Sequence, residues 1–398
     1  MNHKIAIVGA GFSGLTLAWA LHKQGLDVEI FEAQNTAGGL IQTTYNQVPV
    51  ESAAHALLAN ADVEELFLDL ELQHVEAGYV SKRKWIFRDG RAQKWPLSFS
   101  ETVKSIGIPR KPKPFETLQA WTKRTFSSEV SDFLVAPAFQ GIYATQSSEL
   151  SATLVLNGIF NKKIKSKRGR WKGSVAPLDG MGDLIAKLKT RFKIHYNAVV
   201  DLQKLQEQFH VVVIATDMHS AAILLEKENK TLASELSLMP RASLLSTTIS
   251  FPQSTRRVRG FGCLFPHREN FESLGVIFNS DLFAKRGKNS ETWIMAGDQS
   301  QNSSQIILQK ILKDRRRLIN EDVSIQFCEV HRWPQALPLY GMELERFLKK
   351  HFRSDYLVNG AQVSKSVFLT GNYLGLIGLA KILSYNKRLA ARLKGELS

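Results

Sequence analysis

Cysteine is nearly absent: the 398 residues hold only Cys263 and Cys328, far apart and each in an apolar, strand-like setting. So sparse a pair excludes a disulfide-stapled scaffold, and with no His or Cys at ligand spacing beside either one it offers no zinc site. Two buried thiols are the reading that remains. Long apolar runs are missing too. None approaches the about 18 residues that a membrane-spanning helix needs, and the candidates, such as Val211 to Ala215, are strand-sized. The chain opens on a strand pattern at Lys4, which leaves no room for a signal peptide, so an intracellular, cytoplasmic location is expected. Neither a Ser-His-Asp order nor an H-E-x-x-H helix is present to suggest hydrolysis or zinc catalysis.

Acidic residues are in deficit. Against 52 Lys and Arg stand 37 Asp and Glu, a net charge of +15, which creates a positive field that favours an anionic partner. No helix-turn-helix, zinc-finger or RNP-type signature accompanies it, so nucleic acid is not the expected partner. An acidic lipid surface or an acidic small molecule remains. The densest basic run, Lys162 to Lys172, reads either as a solvated loop or as a patch that docks on anionic head groups. There each basic residue contributes about 1 kcal/mol. Composition is otherwise that of a globular protein, 44% hydrophobic and 22% charged, and the length allows two domains sharing a core.

Residues 4 to 9 form a short apolar run ending in glycine, as a buried parallel strand should. Residues 13 to 24 follow with Leu15, Leu17, Ala18, Ala20 and Leu21 at helical spacing, and Gly25 sits where a C-terminal cap belongs. Val28 to Phe31 read as the next strand, completing a βαβ unit. Further along, residues 63–70, 115–136, 180–192 and about 378–395 read as helices. Residues 85–87 with the turn Asp89-Gly90, and 211–215, read as strands; 242–251, 261–266 and 274–278 read as an antiparallel sheet, and 366–370 as a final strand. The Lys-Pro-Lys-Pro of 111–114 breaks regular structure.

The strongest motif is Gly9-Ala10-Gly11-Phe12-Ser13-Gly14, between the first strand and the first helix. Gly9 permits the tight turn, Gly11 admits a pyrophosphate to the backbone, and Gly14 lets helix and sheet approach. The helix N-terminus then offers N–H groups and a positive dipole end to phosphates. Glu32 ends the second strand, where a carboxylate accepts both ribose hydroxyls and repels a 2′-phosphate. Behind it runs Ala33-Gln34-Asn35-Thr36-Ala37-Gly38-Gly39-Leu40, whose paired glycine gives a second close approach near the diphosphate.

This stretch resembles the E-A-x-x-x-x-G-G extension of flavoproteins of the amine oxidase type, which implies noncovalent FAD rather than NAD. Gln42 stands where that motif carries an arginine. Over nearly the whole chain the resemblance is to the protoporphyrinogen oxidase family. Residues 133–150 resemble its "P…GGIYAGD…LS" segment, Gly260 to Pro266 its "GFGxLxP", Leu274 to Phe283 the stretch that follows, and Arg332 to Tyr340 its "RWxxAxPxY". Val199 matches a valine whose backbone meets the adenine, and Gly371-Asn372-Tyr373-Leu374-Gly375-Leu376-Ile377-Gly378 the turn that brings a helix N-terminus to the flavin.

The resemblance implies a Rossmann-like α/β FAD domain with an inserted α+β substrate domain. Residues 1–80, 181–240 and 346–398 would form the first; 81–180, largely helical and on the substrate or membrane side, and the sheet 241–345 would form the second. It implies cofactor contacts from Gly9, Ala10, Gly11, Phe12, Ser13, Gly14, Glu32, Ala33, Gly38, Gly39, Leu40, Ala54, His55, Ala56, Val199, Trp333, Gly371, Asn372, Leu376, Ile377 and Gly378. Phe139, Tyr143 and Phe265 are the expected walls for a macrocycle, with Trp333 beside them.

The implied reaction removes six electrons from protoporphyrinogen IX by hydride transfer to flavin N5, with oxygen or a respiratory acceptor reoxidising the cofactor, at the edge of a membrane. No residue stands out in the sequence as a catalytic base. Three departures stand out: Ala53-Ala54-His55-Ala56 replaces a Gly-Pro pair and basic residue, only a dozen residues separate Val199 from Val211 where the family inserts a β-meander, and Ser100 falls where mitochondrial-type members place a propionate-binding arginine. Coproporphyrinogen III, with four carboxylates, fits the positive charge even better than protoporphyrinogen IX, with two; an amine-oxidase-type enzyme and an inactive flavin-binding partner protein are the other readings.

Overall fold

The computed structural model describes residues 4–46, 48–161, 164, 166–252, 258–286 and 289–397. Its centre is a six-stranded sheet. Strand β1 (Lys4–Val8) is followed by helix α1 (Phe12–Lys23) and strand β2 (Asp27–Phe31). Across the sheet the order is Lys193–His195, β2, β1, Val211–Ile214, Val367–Leu369 and Ala361–Gln362, parallel except for the last pair. The strands are short and apolar because both faces are covered: Ile5, Ile7, Val212, Val213, Phe368 and Leu369 are fully buried. One covering element is α1, with seven of its apolar residues inside; another is the C-terminal helix Leu379–Leu397 packed against it.

The register aligns the carboxyl ends of five strands. Val8 pairs with Phe31 and Ile214, Phe31 with His195, and Ile214 with Leu369. Gly9, Glu32, Ala215 and Thr370 therefore leave the sheet in one row, the edge where open α/β sheets take their ligands.

A second, seven-stranded sheet orders Phe327–Pro338, Arg241–Ser250, Ser290–Ala296, Gly275–Phe278, Gly262–Leu264, Lys84–Arg88 and Arg91–Gln93. All neighbours are antiparallel except Gly262–Leu264 with Lys84–Arg88. Its core packs Trp293, Met295, Phe278 and Ile249 against Ile307 and Ile311 of helix Ser304–Ile319. Cys263 is buried here and Cys328 half-buried. The strand Phe327–Pro338 tolerates Pro334 and Pro338 because it lies at the sheet edge.

One expected element is divided. The helix read over 115–136 is instead Leu118–Thr125, a break at Phe126 (φ −128°), and a restart at Ser128. Ser127 causes the restart, its hydroxyl accepting from Val130 N at 3.3 Å as an N-cap. The chain then passes through a widened turn at Ser131–Val135 into helix Ala136–Tyr143. Between Val199 and Val211, the helix Leu202–Gln208 makes the short crossover.

Candidate cofactor and substrate site

The three glycines of the first loop do different work. A Cβ on Gly14 would stand 1.9 Å from the Gly9 carbonyl oxygen, so α1 sits as close to the sheet as it does only without one. Gly9 has φ +106°, and a Cβ there would come within 3.0 Å of Ala215 O. Gly11 is unlike both: its φ is −75°, open to any residue, and the nearest atom to an added Cβ is Gly39 Cα at 4.0 Å. Nothing in the polypeptide demands a glycine at this position. The space is kept for something else. No side chain caps α1 and its first turn carries no acidic residue, so the N–H groups that follow Gly11 stay available to an anion.

Gly38 and Gly39 close over this loop. Gly38 N donates to Ala10 O at 2.9 Å and pairs with Gly11 in an isolated parallel bridge, and both have positive φ (123° and 57°). Glu32 accepts from Ala10 N at 2.7 Å and Gln34 N at 2.9 Å, one bond on each oxygen. An ionised carboxylate has about four acceptor sites, so two remain for a ribose diol. Ala33 is exposed beside Glu32, and Val199 is 92% exposed, its neighbour Ala198 donating to Glu32 O at 2.9 Å. The side chain of Phe12 goes into the core, while Ser13 is half-buried and its carbonyl accepts from Asn386 Nδ2 at 2.8 Å.

Asn386 joins the two ends of the chain. Thr370 Oγ1 donates to its Oδ1 at 2.6 Å while its amide reaches Ser13 O and Thr16 Oγ1. This fixes the Gly371–Gly378 turn beside the glycine loop. Gly371, Gly375 and Gly378 all have positive φ, and the C-terminal helix starts at once after Gly378. Tyr340 OH donates to Asn372 O, and Tyr356 OH to Leu374 O at 2.9 Å. Leu376 buries its side chain and leaves only backbone to a ligand, whereas Ile377 is half-buried.

Leu40, 37% exposed, continues from the double glycine into a clasp with Ser52. Ser52 Oγ donates to Leu40 O (2.8 Å) and accepts from Gln42 N (3.0 Å), and Trp333 Nε1 donates to Ser52 O at 2.7 Å. Gln42, in place of an arginine, turns its amide to Gly39 O at 3.3 Å. Ala54, His55 and Ala56 follow the clasp in sequence, and Arg286 reaches the His55 carbonyl at 3.5 Å. His55 Nε2 is shut off from solvent without a partner, and burial, assisted by nearby Arg286, pushes its pKa down to about 4. At neutral pH the ring is uncharged. Beneath it Arg286 pairs with Glu51 at 2.9 Å, the two side chains 8% and 2% exposed; Met181 N and Thr43 Oγ1 also donate to Glu51.

The expected macrocycle walls separate. Phe139 and Tyr143 stack at 6.0 Å on helix Ala136–Tyr143, and Tyr143 meets Tyr340 edge-on at 4.9 Å, the tyrosine that holds Asn372. Tyr143 is thus linked to the glycine turn through Tyr340, and Phe139 stacks on Tyr143. Phe265 stands apart: it is 2% exposed, stacked on Phe271 at 4.0 Å and near Trp293 at 5.8 Å inside the second sheet's core. It is packing, a correction to the expectation, because a ring with both faces taken has none for a ligand. Of the basic run, Lys162, Lys163 and Lys165 lie outside the described residues. Arg170 pairs with Glu64, and Trp171 stacks tilted on His74 at 4.0 Å, so this end is fastened to helix Ala61–Asp69 and to the strand His74–Glu76.

The open space at Gly11, the spare acceptors of Glu32 and the unpartnered His55 nitrogen are what a bound dinucleotide would use. The site fits FAD. Residues 7–70 match the model of the NAD(P)-binding Rossmann-like domain. The chain is similar to protoporphyrinogen oxidase 2 (chloroplastic/mitochondrial) of Arabidopsis thaliana, 24% identical over 472 residues, covering 96% of this chain and 92% of the relative. Coproporphyrinogen III oxidase of Staphylococcus aureus is 27% identical over 184 residues, 38% of each chain. Among solved structures, cyclohexylamine oxidase from Brevibacterium oxydans superposes with a TM-score of 0.73 at 16% identity, covering both chains fully, a likeness of fold. The chain is an FAD-dependent oxidoreductase. Its resemblance to protoporphyrinogen oxidases runs along the whole sequence.

Sequence reasoning missed Ser52, Asn386, Tyr340 and the Glu51–Arg286 pair. Tyr340 stands inside the quoted "RWxxAxPxY" stretch and could have been singled out; an asparagine at 386, at helical spacing among Ile382, Leu383, Leu389 and Leu393, was the other available signal.

Proposed function

We propose that the chain oxidises a porphyrinogen, protoporphyrinogen IX in the first instance, to the porphyrin in haem biosynthesis. One observation carries the reading: the half-buried Phe139 is stacked on a buried Tyr143 that is coupled through Tyr340 to Asn372 in the glycine turn, so that the Phe139 ring can offer a flat apolar substrate a wall beside the cofactor. The full-length similarity to protoporphyrinogen oxidases supports the substrate class. FAD, when bound, supplies the hydride acceptor. The chain's own residues hold and orient. The Gly9–Gly14 loop and the N–H groups of α1 take the diphosphate, Glu32 the ribose, and Gly38, Gly39 and the 371–378 turn the remaining cofactor. Neutral His55 offers a hydrogen-bonding nitrogen without a charge. Trp333, tied to Ser52, closes the crevice from the second sheet.

Residues 1–80, 181–240 and 346–398 then serve the cofactor, and 81–180 with 241–345 the substrate. Reoxidation falls to oxygen or a respiratory acceptor, and the chain works as a peripheral protein on the inner face of the cell membrane. Among the described residues no helix is long and apolar enough to cross a membrane. Coproporphyrinogen III is the second reading, favoured by the net charge of +15, which attracts four carboxylates more strongly than two.

Anaerobic mixing of the FAD-loaded protein with each porphyrinogen tests both. Protoporphyrinogen should bleach the flavin and raise porphyrin fluorescence faster than coproporphyrinogen. The reverse order selects the second reading, and a flavin left oxidised by both overturns the porphyrinogen assignment.

A further inference from the structure

The second sheet has two unlike faces. Cys328 and Val330 of the edge strand pack with Ile249, Trp293 and Met295 toward helix Ser304–Ile319. The alternate residues Glu329, His331 and Trp333 therefore turn the other way. On that side lie the strands Thr43–Asn46 and Val48–Glu51 and the Ser52 clasp: Thr44 Oγ1 donates to Glu329 Oε1, and Trp333 Nε1 to Ser52 O. This buried face is polar. Ser246, Thr248 and Thr292 are each 1% exposed or less. Thr248 and Thr292 share a hydrogen bond of 2.9 Å, and Asn279 Nδ2 donates to Thr292 Oγ1 at 2.9 Å. Two neighbouring groups are left over. Ser246 Oγ and His331 Nε2 are sealed from solvent, and neither has a hydrogen-bond partner among the described residues. They occupy facing positions, since Ser246 pairs with His331 across the two strands. Unpaired buried polar groups cost stability, and two side by side call for a reason beyond packing.

His331 also has a carboxylate beside it. Its Nε2 lies 3.2 Å from Glu329 Oε1, near but poorly aligned for a hydrogen bond, as catalytic pairs often are before substrate is bound. A carboxylate on this side favours the tautomer with its proton on Nε2 and leaves the lone pair on Nδ1. It also stabilises the ring once Nδ1 takes a second proton. The Glu329 side chain is 25% exposed and so connects the pair to water. Trp333, which closes the crevice in the proposed site, is two residues further on the same face, about 6.6 Å along the strand.

The proposed oxidation needs a proton acceptor. Each two-electron step breaks a C–H bond at a bridging carbon of the macrocycle, and the hydride leaves with its electron pair for the bound FAD. A proton must then leave the substrate, first from a pyrrole N–H, whose electron pair stays behind in the new C=N bond. The other titratable groups near the clasp serve poorly. His55, its pKa pushed down to about 4 by burial, is too weak a base at neutral pH. Glu51 is engaged by Arg286 at 2.9 Å.

We propose that His331, oriented by Glu329, is the base that accepts this proton at Nδ1 and returns it to solvent between steps, with Ser246 Oγ hydrogen-bonding the same edge of the macrocycle. The inference rests on the porphyrinogen reading above and gives its site a catalytic residue.

The test is anaerobic stopped-flow mixing of protoporphyrinogen with the FAD-loaded parent protein, His331→Ala and His331→Gln, read as flavin bleaching. The glutamine variant, closer in size, guards against a cavity in the alanine one. Both should keep their flavin and bleach about a hundredfold or more slowly, the usual loss of a general base. Added imidazole should restore part of the rate in His331→Ala and leave the parent unchanged. Protoporphyrin, followed by its own fluorescence, should bind cofactor-free parent and His331→Ala alike. Bleaching at the parent rate overturns the base and leaves the porphyrinogen reading standing. So does a slow variant that imidazole does not speed, or one whose porphyrin binding falls in proportion to its rate. Loss of flavin by both variants makes His331 a packing residue and overturns the proposal. A parent protein that protoporphyrinogen leaves oxidised overturns the reading and the base together.

Discussion

Gly11 and Gly14 belong to the same six-residue loop, yet the polypeptide requires a glycine only at the second. A Cβ at Gly14 would overlap the Gly9 carbonyl at 1.9 Å, whereas at Gly11 it would meet nothing nearer than 4.0 Å. The contrast predicts opposite phenotypes. Gly14→Ala should destabilise the apoprotein by several kcal/mol, on the order of an overpacked core. Gly11→Ala should leave apoprotein stability within about 0.5 kcal/mol. Urea melts of the two cofactor-free variants decide it; equal losses would mean that Gly11 too is a packing residue.

Glu32 accepts two hydrogen bonds inside the protein, and its proposed second role is toward the cofactor. Replacing it by Ala removes the acceptor for Ala10 N and Gln34 N and the charge proposed to meet the ribose. FAD affinity should fall by about 1.5–3 kcal/mol, as for hydrogen bonds to a charged group. Glu32→Gln, which keeps one oxygen, should lose less. Fluorescence titration of apoprotein with FAD measures both, and an unchanged dissociation constant in Glu32→Ala would remove this residue from the site.

The Glu51–Arg286 pair supports the His55 loop from below. Burial raises the Glu51 pKa and Arg286 opposes that shift. Arg286→Met would strand a buried carboxylate and should cost about 3–5 kcal/mol, most of it recovered in the double variant with Glu51→Gln. With Arg286 gone the carboxyl favours its protonated form more strongly, so stability is lost as pH rises and the single variant should be relatively worse at pH 7 than at pH 5. Chemical denaturation at the two pH values reads the sign.

How much of this was legible in the sequence depends on how local each feature is. The βαβ unit, the glycine loop and Glu32 lie within thirty residues, and their spacing alone fixes their geometry. Strands 211–214 and 367–369 and the last helix were also readable, because continuous apolar runs and 3.6-residue periodicity are local signals. Glu51 and Arg286 are 235 positions apart, and no periodicity announces their meeting. Phe265 shows another limit. Pattern marks it as an apolar strand-end residue, but whether its ring faces a cavity or a neighbour is settled only by Phe271 and Trp293 arriving from elsewhere. The long edge strand Phe327–Pro338 was hidden by two prolines that its edge position accommodates. The break at Phe126 was missed because Ser127 reads as readily within a helix as at its start.

His55 gives the pH dependence its direction. Its pKa falls from 6.5 to about 4 on folding, chiefly through burial. Between those values the unfolded chain binds the extra proton and the folded one does not. Stability should therefore decline as pH drops from about 6.5 toward 4 and be fully present above that window. A His55→Phe apoprotein should show a flatter melting-temperature profile across the same range. A profile as steep as that of the parent protein would assign the titration to other groups.

The proposed cofactor site stands or falls with the space at Gly11. Calorimetric titration of FAD into apoprotein, with wild type and Gly11→Val compared at matched folded fraction, tests it directly. The expected result is one FAD per wild-type chain and no measurable binding by a variant that melts like its parent. FAD bound with equal affinity by both, or by neither, would contradict it.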